Sequence, residues 1–155
     1  ALVQAHSIRA NMCMASMGQI ASGGYITRKM EQAVVDEQVA KLQIKVASTE
    51  DAVSSLSGGN QQKVVVGNWL STRPRVMLFD EPTRGIDVQA KQQLFQVMWD
   101  LSREGIATVF VSTELEELVE VCHRILIMRE GRIVDEVRPE TLTADELALR
   151  CMGEN

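Results

Sequence analysis

Metal-binding side chains are scarce in this chain. Its 155 residues include 3 cysteines and 2 histidines, and Cys13, Cys122, Cys151, His6 and His123 fall at none of the spacings that ligate a metal. An odd number of widely separated cysteines argues for unpaired thiols in a reducing cytoplasm rather than a disulfide framework. Basic charge is also in deficit: 16 Lys and Arg stand against 21 Asp and Glu, for a net charge of −5. A nucleic-acid surface, which clusters excess Lys and Arg, is therefore not expected. No apolar run approaches the roughly 18 residues that span a bilayer. From Ala1 to Gly24 there is no basic segment followed by an apolar core, so no secretory signal is read there. Nothing repeats internally.

What is present fits one globular domain with a core of its own: 45% of residues are hydrophobic and 24% charged. Residues 1–26 read as weak helix followed by a turn at Ser22-Gly23-Gly24, with Met12, Met14 and Met17 as packing filler. From Thr27 a helical pattern carries Val35, Val39, Leu42 and Val46 on one face. Ala47 to Ser55 is a polar loop. Gln61 to Leu70 pairs Val65 with Trp69 and Val66 with Leu70 along one helix face, although Val64-Val65-Val66 favours a strand by propensity. Arg73-Pro74 ends that helix.

Arg75 to Phe79 is a continuous apolar run of the kind found in strands buried on both faces. Val88 to Glu104 is an amphipathic helix with Leu94, Val97, Met98 and Leu101 on one side, closed at Gly105. Ala107 to Val111 is a second buried strand. Thr113 and Glu116 have capping-box spacing and open a helix to about His123. Arg124 to Met128 and Arg132 to Val137 flank a hairpin turn at Glu130-Gly131. Thr143 and Glu146 form another capping box, with Leu142 and Leu147 as its staple, and a last helix runs to about Met152. From residue 75 onward the order strand, helix, strand, helix, hairpin, helix is an α/β signature.

Two stretches carry chemistry. Ser57-Gly58-Gly59 sets a hydroxyl and two residues without Cβ at a helix N-terminus, where backbone amides and the helix dipole favour an anion and glycine lets the backbone approach a phosphate. Alone, such a triplet describes an ordinary loop. Extended to Leu56-Ser57-Gly58-Gly59-Asn60-Gln61-Gln62 and followed by a buried strand ending in Asp80-Glu81, it describes phosphate handling. Asp80 leaves the C-terminal end of that strand, where open α/β sheets bind ligands. It can hold Mg²⁺ through water, since magnesium keeps much of its hydration shell. Glu81 can orient or deprotonate the water that attacks a γ-phosphate. Two adjacent carboxylates repel unless a cation or a role compensates.

The run from Leu56 to Gln62 resembles the signature motif of ATP-binding-cassette (ABC) ATPases. Val76 to Glu81 resembles their Walker B strand with its catalytic glutamate. Arg84-Gly85-Ile86-Asp87 lies where that family has its D-loop. The wording, with Asn60 in place of the usual Gln and Glu81-Pro82-Thr83-Arg84-Gly85-Ile86-Asp87 after the strand, is similar to the second cassette of ribose- and xylose-type bacterial monosaccharide importers. The likeness covers nearly the whole chain, including His6 to Arg9 and Met128 to Ile133. It implies a partial P-loop NTPase (RecA-like) core with an N-terminal helical subdomain. Residues 1–72 would be the helical portion with the signature motif, 73–137 the partial core, and 138–155 a C-terminal helix.

Two departures matter. No Gly-x-x-x-x-Gly-Lys-[Ser/Thr] occurs, so the loop that cradles phosphates is missing; the adenine-stacking aromatic and the Q-loop glutamine have no counterpart either. The chain reads as a piece that starts inside the helical subdomain. The family's switch histidine is replaced by Thr113, which lacks an imidazole, and His123 sits at the wrong end of the following helix to substitute.

In the family, cassettes pair head to tail and a signature motif completes its partner's site. The resemblance therefore implies that Ser57, Gly58, Gly59, Asn60 and Gln61 serve ATP held by the opposite cassette, while Asp80 and Glu81 serve ATP held by this cassette's own phosphate loop. Its cofactors would be ATP and Mg²⁺. Its partners would be a second cassette, transmembrane permease subunits and, indirectly, a sugar-binding protein, with the subunit peripheral on the inner face of the cell membrane. Another reading is a catalytically inactive interaction fragment, which binds ATP poorly for want of the phosphate loop. A third is the C-terminal head of a chromosome-maintenance or DNA-repair ABC ATPase. Against it, the helix around residues 28–46 is too short and lacks sustained heptads, and the charge balance is acidic.

Overall fold

A computed structural model describes residues 2–153. They divide into two compact units. The first contains the described residues through Val76 together with Thr83–Ala107; the second contains Met77–Pro82 and the described residues from Thr108 onward.

The first unit is helical. Ser7 caps α1 (Ile8–Cys13) by accepting the Ala10 amide at 3.1 Å, and α1 buries Ile8, Met12 and Cys13. A short α2 (Met17–Ile20) leads to the expected turn, where Ser22 and Tyr25 exchange backbone hydrogen bonds and Gly23 and Gly24 take positive φ. Of the three methionines read as filler only Met12 is buried; Met14 and Met17 are exposed.

Thr27 caps α3 (Arg28–Lys41), which stops short of the expected Val46. Gln43 turns left-handed at φ 50; Leu42 before it and Ile44 after it are buried, and Val46 is half-buried. That alternation has a period of two rather than the helical spacing. It shares Leu42 and Val46 with the helical reading, so the sequence alone misassigned it. Arg9 on α1 pairs with Glu31 on α3 and, at 2.7 Å, with Glu50 in the loop beyond, tying three segments together.

The central element is α4 (Gly58–Leu70), packed against α1, α3 and α5 (Val88–Arg103). It starts three residues earlier than the pattern indicates, so both glycines lie in its first turn. Val64 and Val66 are buried, and this burial overrides the strand preference of the valine run. A Cβ on Gly67 would meet Leu42, Gln38 and Met12 at 3.2–3.4 Å, and one on Gly59 would stand 2.6 Å from the Ala90 Cβ on α5. As its pattern indicates, α5 buries Leu94, Met98 and Leu101, with Phe95 added and Val97 half-buried.

β1 (Val76–Asp80) pairs with β2 (Ala107–Val111); the first residue of each strand belongs to the helical unit and the rest to the second. The Ala107 amide donates to the Arg75 carbonyl at one end and the Glu81 amide to the Val111 carbonyl at the other. The strands are therefore parallel. Burial on both faces does not hold: Met77 and Phe79 are buried, but Leu78 is 75% exposed and Val109 and Val111 about half. Successive strand residues alternate between faces, and only one face of this sheet is covered.

Next comes α6 (Leu115–Val121), shorter than expected and not capped by Thr113. The N-cap residue is Glu114, whose side chain accepts no helix amide; just before it the Ser112 hydroxyl accepts the Glu114 amide at 3.0 Å and donates to the Glu117 carboxylate at 3.0 Å. The expected Thr113–Glu116 capping box does not form. The hairpin of β3 (Ile125–Arg129) and β4 (Arg132–Val137) forms as read, turning through Glu130 and Gly131 at positive φ. Thr143 and Glu146 close the expected capping box on α7 (Ala144–Met152). Leu147 is wholly buried against Ile125, Ile127 and Val137, with Leu142 packed beside them.

Two outcomes follow. Gly59→Ala should destabilise the fold by about 1–3 kcal/mol through overpacking, and Ala90→Gly should restore most of the loss; thermal melting of the single and double variants checks both. The Thr143 amide, then its hydroxyl, holds the Glu146 carboxyl below its ordinary range. A depressed folded pKa contributes stability above the unfolded value, about 4.3 for glutamate, and that contribution is lost as pH falls through the folded pKa. Melting temperature should therefore fall more steeply on acidification below that value for the parent than for Glu146→Gln.

Candidate functional site

In the helical unit the candidate residues converge on the start of α4. Ser57 is its N-cap residue, with extended φ −60 and ψ 156, yet its side chain accepts none of the helix amides. The Asn60 amide nitrogen donates instead to the Ser57 hydroxyl oxygen at 3.1 Å, and Asn60 Oδ1 accepts the Lys45 backbone N–H at 3.2 Å. The first amides of a helix have no intrahelical acceptor. With the Ser57 side chain turned aside, those of the first turn stay available to an anion.

Gly58 and Gly59 differ in what holds them small. A Cβ on Gly58 would enter open space, whereas one on Gly59 would strike Ala90. Backbone access to a ligand can explain Gly58; Gly59 is required by helix packing whatever binds. Gln61 is engaged within the chain: its amide nitrogen donates to the Leu56 carbonyl at 2.9 Å, and its oxygen accepts from Gln4 at 3.1 Å.

Asp87 is the N-cap of α5, accepting the Ala90 amide at 2.9 Å. Ser57, Gly59, Asn60 and Asp87 line one shallow pocket of about 170 Å³ together with Gln43, Lys45, Gln89, Ala90 and Gln93. Sequence reasoning missed Gln43 and Lys45, because residues 43–46 read as the end of a helix. Behind them Lys63 is buried, its ammonium 3.4 Å from the Gln43 carbonyl. Burial, then the neighbouring Lys45, lowers its pKa.

In the second unit Asp80 ends β1 with an exposed side chain, and Glu81 follows in the left-handed region at φ 45. Such backbone is uncommon for a residue with a side chain, costs about 1–3 kcal/mol, and clusters at functional positions. The Glu81 amide is fixed to the Val111 carbonyl at 2.9 Å, and the Thr113 hydroxyl stands 3.4 Å from Glu81 Oε2. The unit thus gathers Asp80, Glu81 and Thr113. Among the described residues no group of three or more His, Cys, Asp or Glu is arranged to hold a metal. An exposed Asp80 offers a hard oxygen ligand of the type Mg²⁺ accepts while keeping several waters.

Comparison with known proteins locates these elements in a family. The ABC transporter family pattern matches residues 1–84, a span that holds both Ser57–Gln61 and Asp80–Glu81. The ribose import ATP-binding protein RbsA of Oceanobacillus iheyensis is 40% identical over 154 residues, 99% of this chain and 31% of the relative. The chain thus spans about three-tenths of that relative's length.

Among solved structures, the dimeric bacterial ABC transporter cassette MJ0796 shares the fold with a TM-score of 0.74 at 19% identity, over 91% of this chain and 60% of that one. The same cassette in a post-hydrolysis state bound to ADP and Pi gives a TM-score of 0.72, also at 19% identity, with the same coverage of both chains. The expected fold class, a partial P-loop NTPase core joined to helical structure, agrees with these neighbours. The chain belongs to the ABC transporter family.

Proposed function

We propose that this chain is part of the ATP-hydrolysing subunit of a bacterial sugar importer, and that its signature turn serves a nucleotide held by a second cassette. The observation that supports this most is Ser57: an N-cap residue whose hydroxyl leaves the first amides of its own helix uncapped. A hydroxyl and open amides at one helix end suit a phosphate. That the matched cassette MJ0796 is dimeric, and that the named relative is a ribose import protein, agree with pairing and with a sugar cargo. In this reading Ser57 and Gly58 contribute directly to the partner's ATP, whereas Gly59 and Gln61 shape the turn. Asp87 holds the start of α5 beside it.

Asp80 and Glu81 belong to the nucleotide of this cassette's own phosphate loop. Asp80 would hold Mg²⁺ through water, and the ion would supply charge neutralisation at the phosphates. Glu81 would orient the attacking water, its carboxylate steadied by the Thr113 hydroxyl. A threonine cannot take up or deliver a proton as an imidazole does, so this half of the machinery is the weaker. Residues 1–72 would act as the helical subdomain, 73–137 as part of the core, and 138–155 as a terminal helix. The subunit would sit on the inner face of the membrane against permease subunits fed by a sugar-binding protein. No helix among the described residues is long and apolar enough to cross the membrane. By itself the chain, which lacks the phosphate loop motif, would bind Mg-ATP poorly and hydrolyse none.

In the full-length subunit, Ser57→Arg should abolish ATP hydrolysis at the partner's site by filling the phosphate position with a bulky cation. Steady-state phosphate release measures this, and unchanged turnover would sink the assignment in trans.

A further inference from the structure

Asn60 stands within the signature motif, and position in the motif suggests a nucleotide contact. Its hydrogen bonds point elsewhere. The backbone N–H of Lys45 can only donate, so the Asn60 atom facing it at 3.2 Å must be the oxygen. That fixes the orientation of the whole amide, which is ordinarily ambiguous. The nitrogen then faces Ser57 Oγ at 3.1 Å and must donate to it. Ser57 is consequently an acceptor towards Asn60, and its own hydroxyl proton is free to point away from the helix. The serine side chain makes no capping bond that would draw it back. Lys45 is itself held by the loop after α3, whose Gln43 carbonyl stands 3.4 Å from the buried Lys63 ammonium on the signature helix.

We infer that Asn60 is a positioning residue: it fixes the rotamer and the donor sense of Ser57, with the Lys45 amide as its anchor. An anion needs donors, and a serine that accepts from Asn60 presents its O–H to a phosphate oxygen. This inference rests on the reading of Ser57 as a donor to the partner's nucleotide, and it gives Asn60 a part in that site without contact to the ligand. It also accounts for an asparagine of this length. Oδ1 and Nδ2 bridge two fixed points, the Lys45 amide and Ser57 Oγ, and an alanine would satisfy neither.

The test uses the full-length subunit. Asn60→Asp keeps an oxygen for the Lys45 amide, so the fold is retained, but a carboxylate accepts the Ser57 proton and turns the donor sense round. Turnover should fall by on the order of 10²-fold, the cost of one misdirected donor, with KM little changed. Asn60→Ala, which leaves Ser57 unguided rather than reversed, should lose about 10-fold through misplacement. In a Ser57→Ala background the further loss from Asn60→Ala should be under about 2-fold, since the two act as one unit. Without nucleotide, hydrogen exchange at the Lys45 amide should quicken in Asn60→Ala and stay unchanged in Ser57→Ala.

If Ser57→Ala lowers turnover and the loss from Asn60→Ala adds to it in full, Asn60 acts on the nucleotide directly and the positioning role is overturned by itself. An unaltered Lys45 exchange rate in Asn60→Ala also overturns it, with no reference to nucleotide. If Ser57→Ala leaves turnover unchanged, the reading of Ser57 in trans fails and takes this inference with it.

Discussion

The helical unit depends on how closely other helices can approach α4. Side chains ordinarily keep packed helices apart; on α4 an added Cβ would collide at Gly59, where the helix meets α5, and crowd its neighbours at Gly67, where the helix meets α1 and α3. The α5 contact brings Asp87 and Ala90 to the Ser57 turn; the α3 contact brings the loop that carries Lys45. Packing density and site geometry are therefore one constraint here. A residue that reads as a phosphate-approach glycine is first a packing glycine, and the pocket exists because the helices beside it can close in.

Elements written in local chemistry were legible in the sequence. The capping box at Thr143, the Glu130-Gly131 turn and the apolar face of α5 each need only neighbouring residues, and each lies where the pattern indicates. Where two periods share residues the sequence misleads: Leu42 and Val46 fit a helical and an alternating spacing alike, and the left-handed turn at Gln43 decides between them. Thr113 and Glu116 have the spacing of a capping box, yet the N-cap falls one residue later, at Glu114, and spacing alone cannot fix that start. The burial of β1 and β2 was unreadable for a different reason. An apolar run reports what a strand can be packed against, and the described chain covers only one face of the sheet.

The candidate site divides the same way. Ser57 and the glycines, and separately Asp80 and Glu81, are visible because each set lies in a short contiguous string. The link from Asn60 to Lys45 spans residues far apart in sequence, and the position of Lys45 is set by the turn after α3 that the pattern missed. Thr113, read only as a lost histidine and a helix cap, instead faces the carboxylate of Glu81. The hydroxyl and the acid follow the C-terminal ends of two paired strands, a proximity that no local pattern encodes.

The left-handed backbone at Glu81 has an evolutionary consequence. Glycine would occupy φ 45 without steric penalty, and asparagine or aspartate with little. A glutamate is therefore held at this position against a standing conformational bias. Left to backbone preference alone, sequence drift at residue 81 would run towards glycine or asparagine.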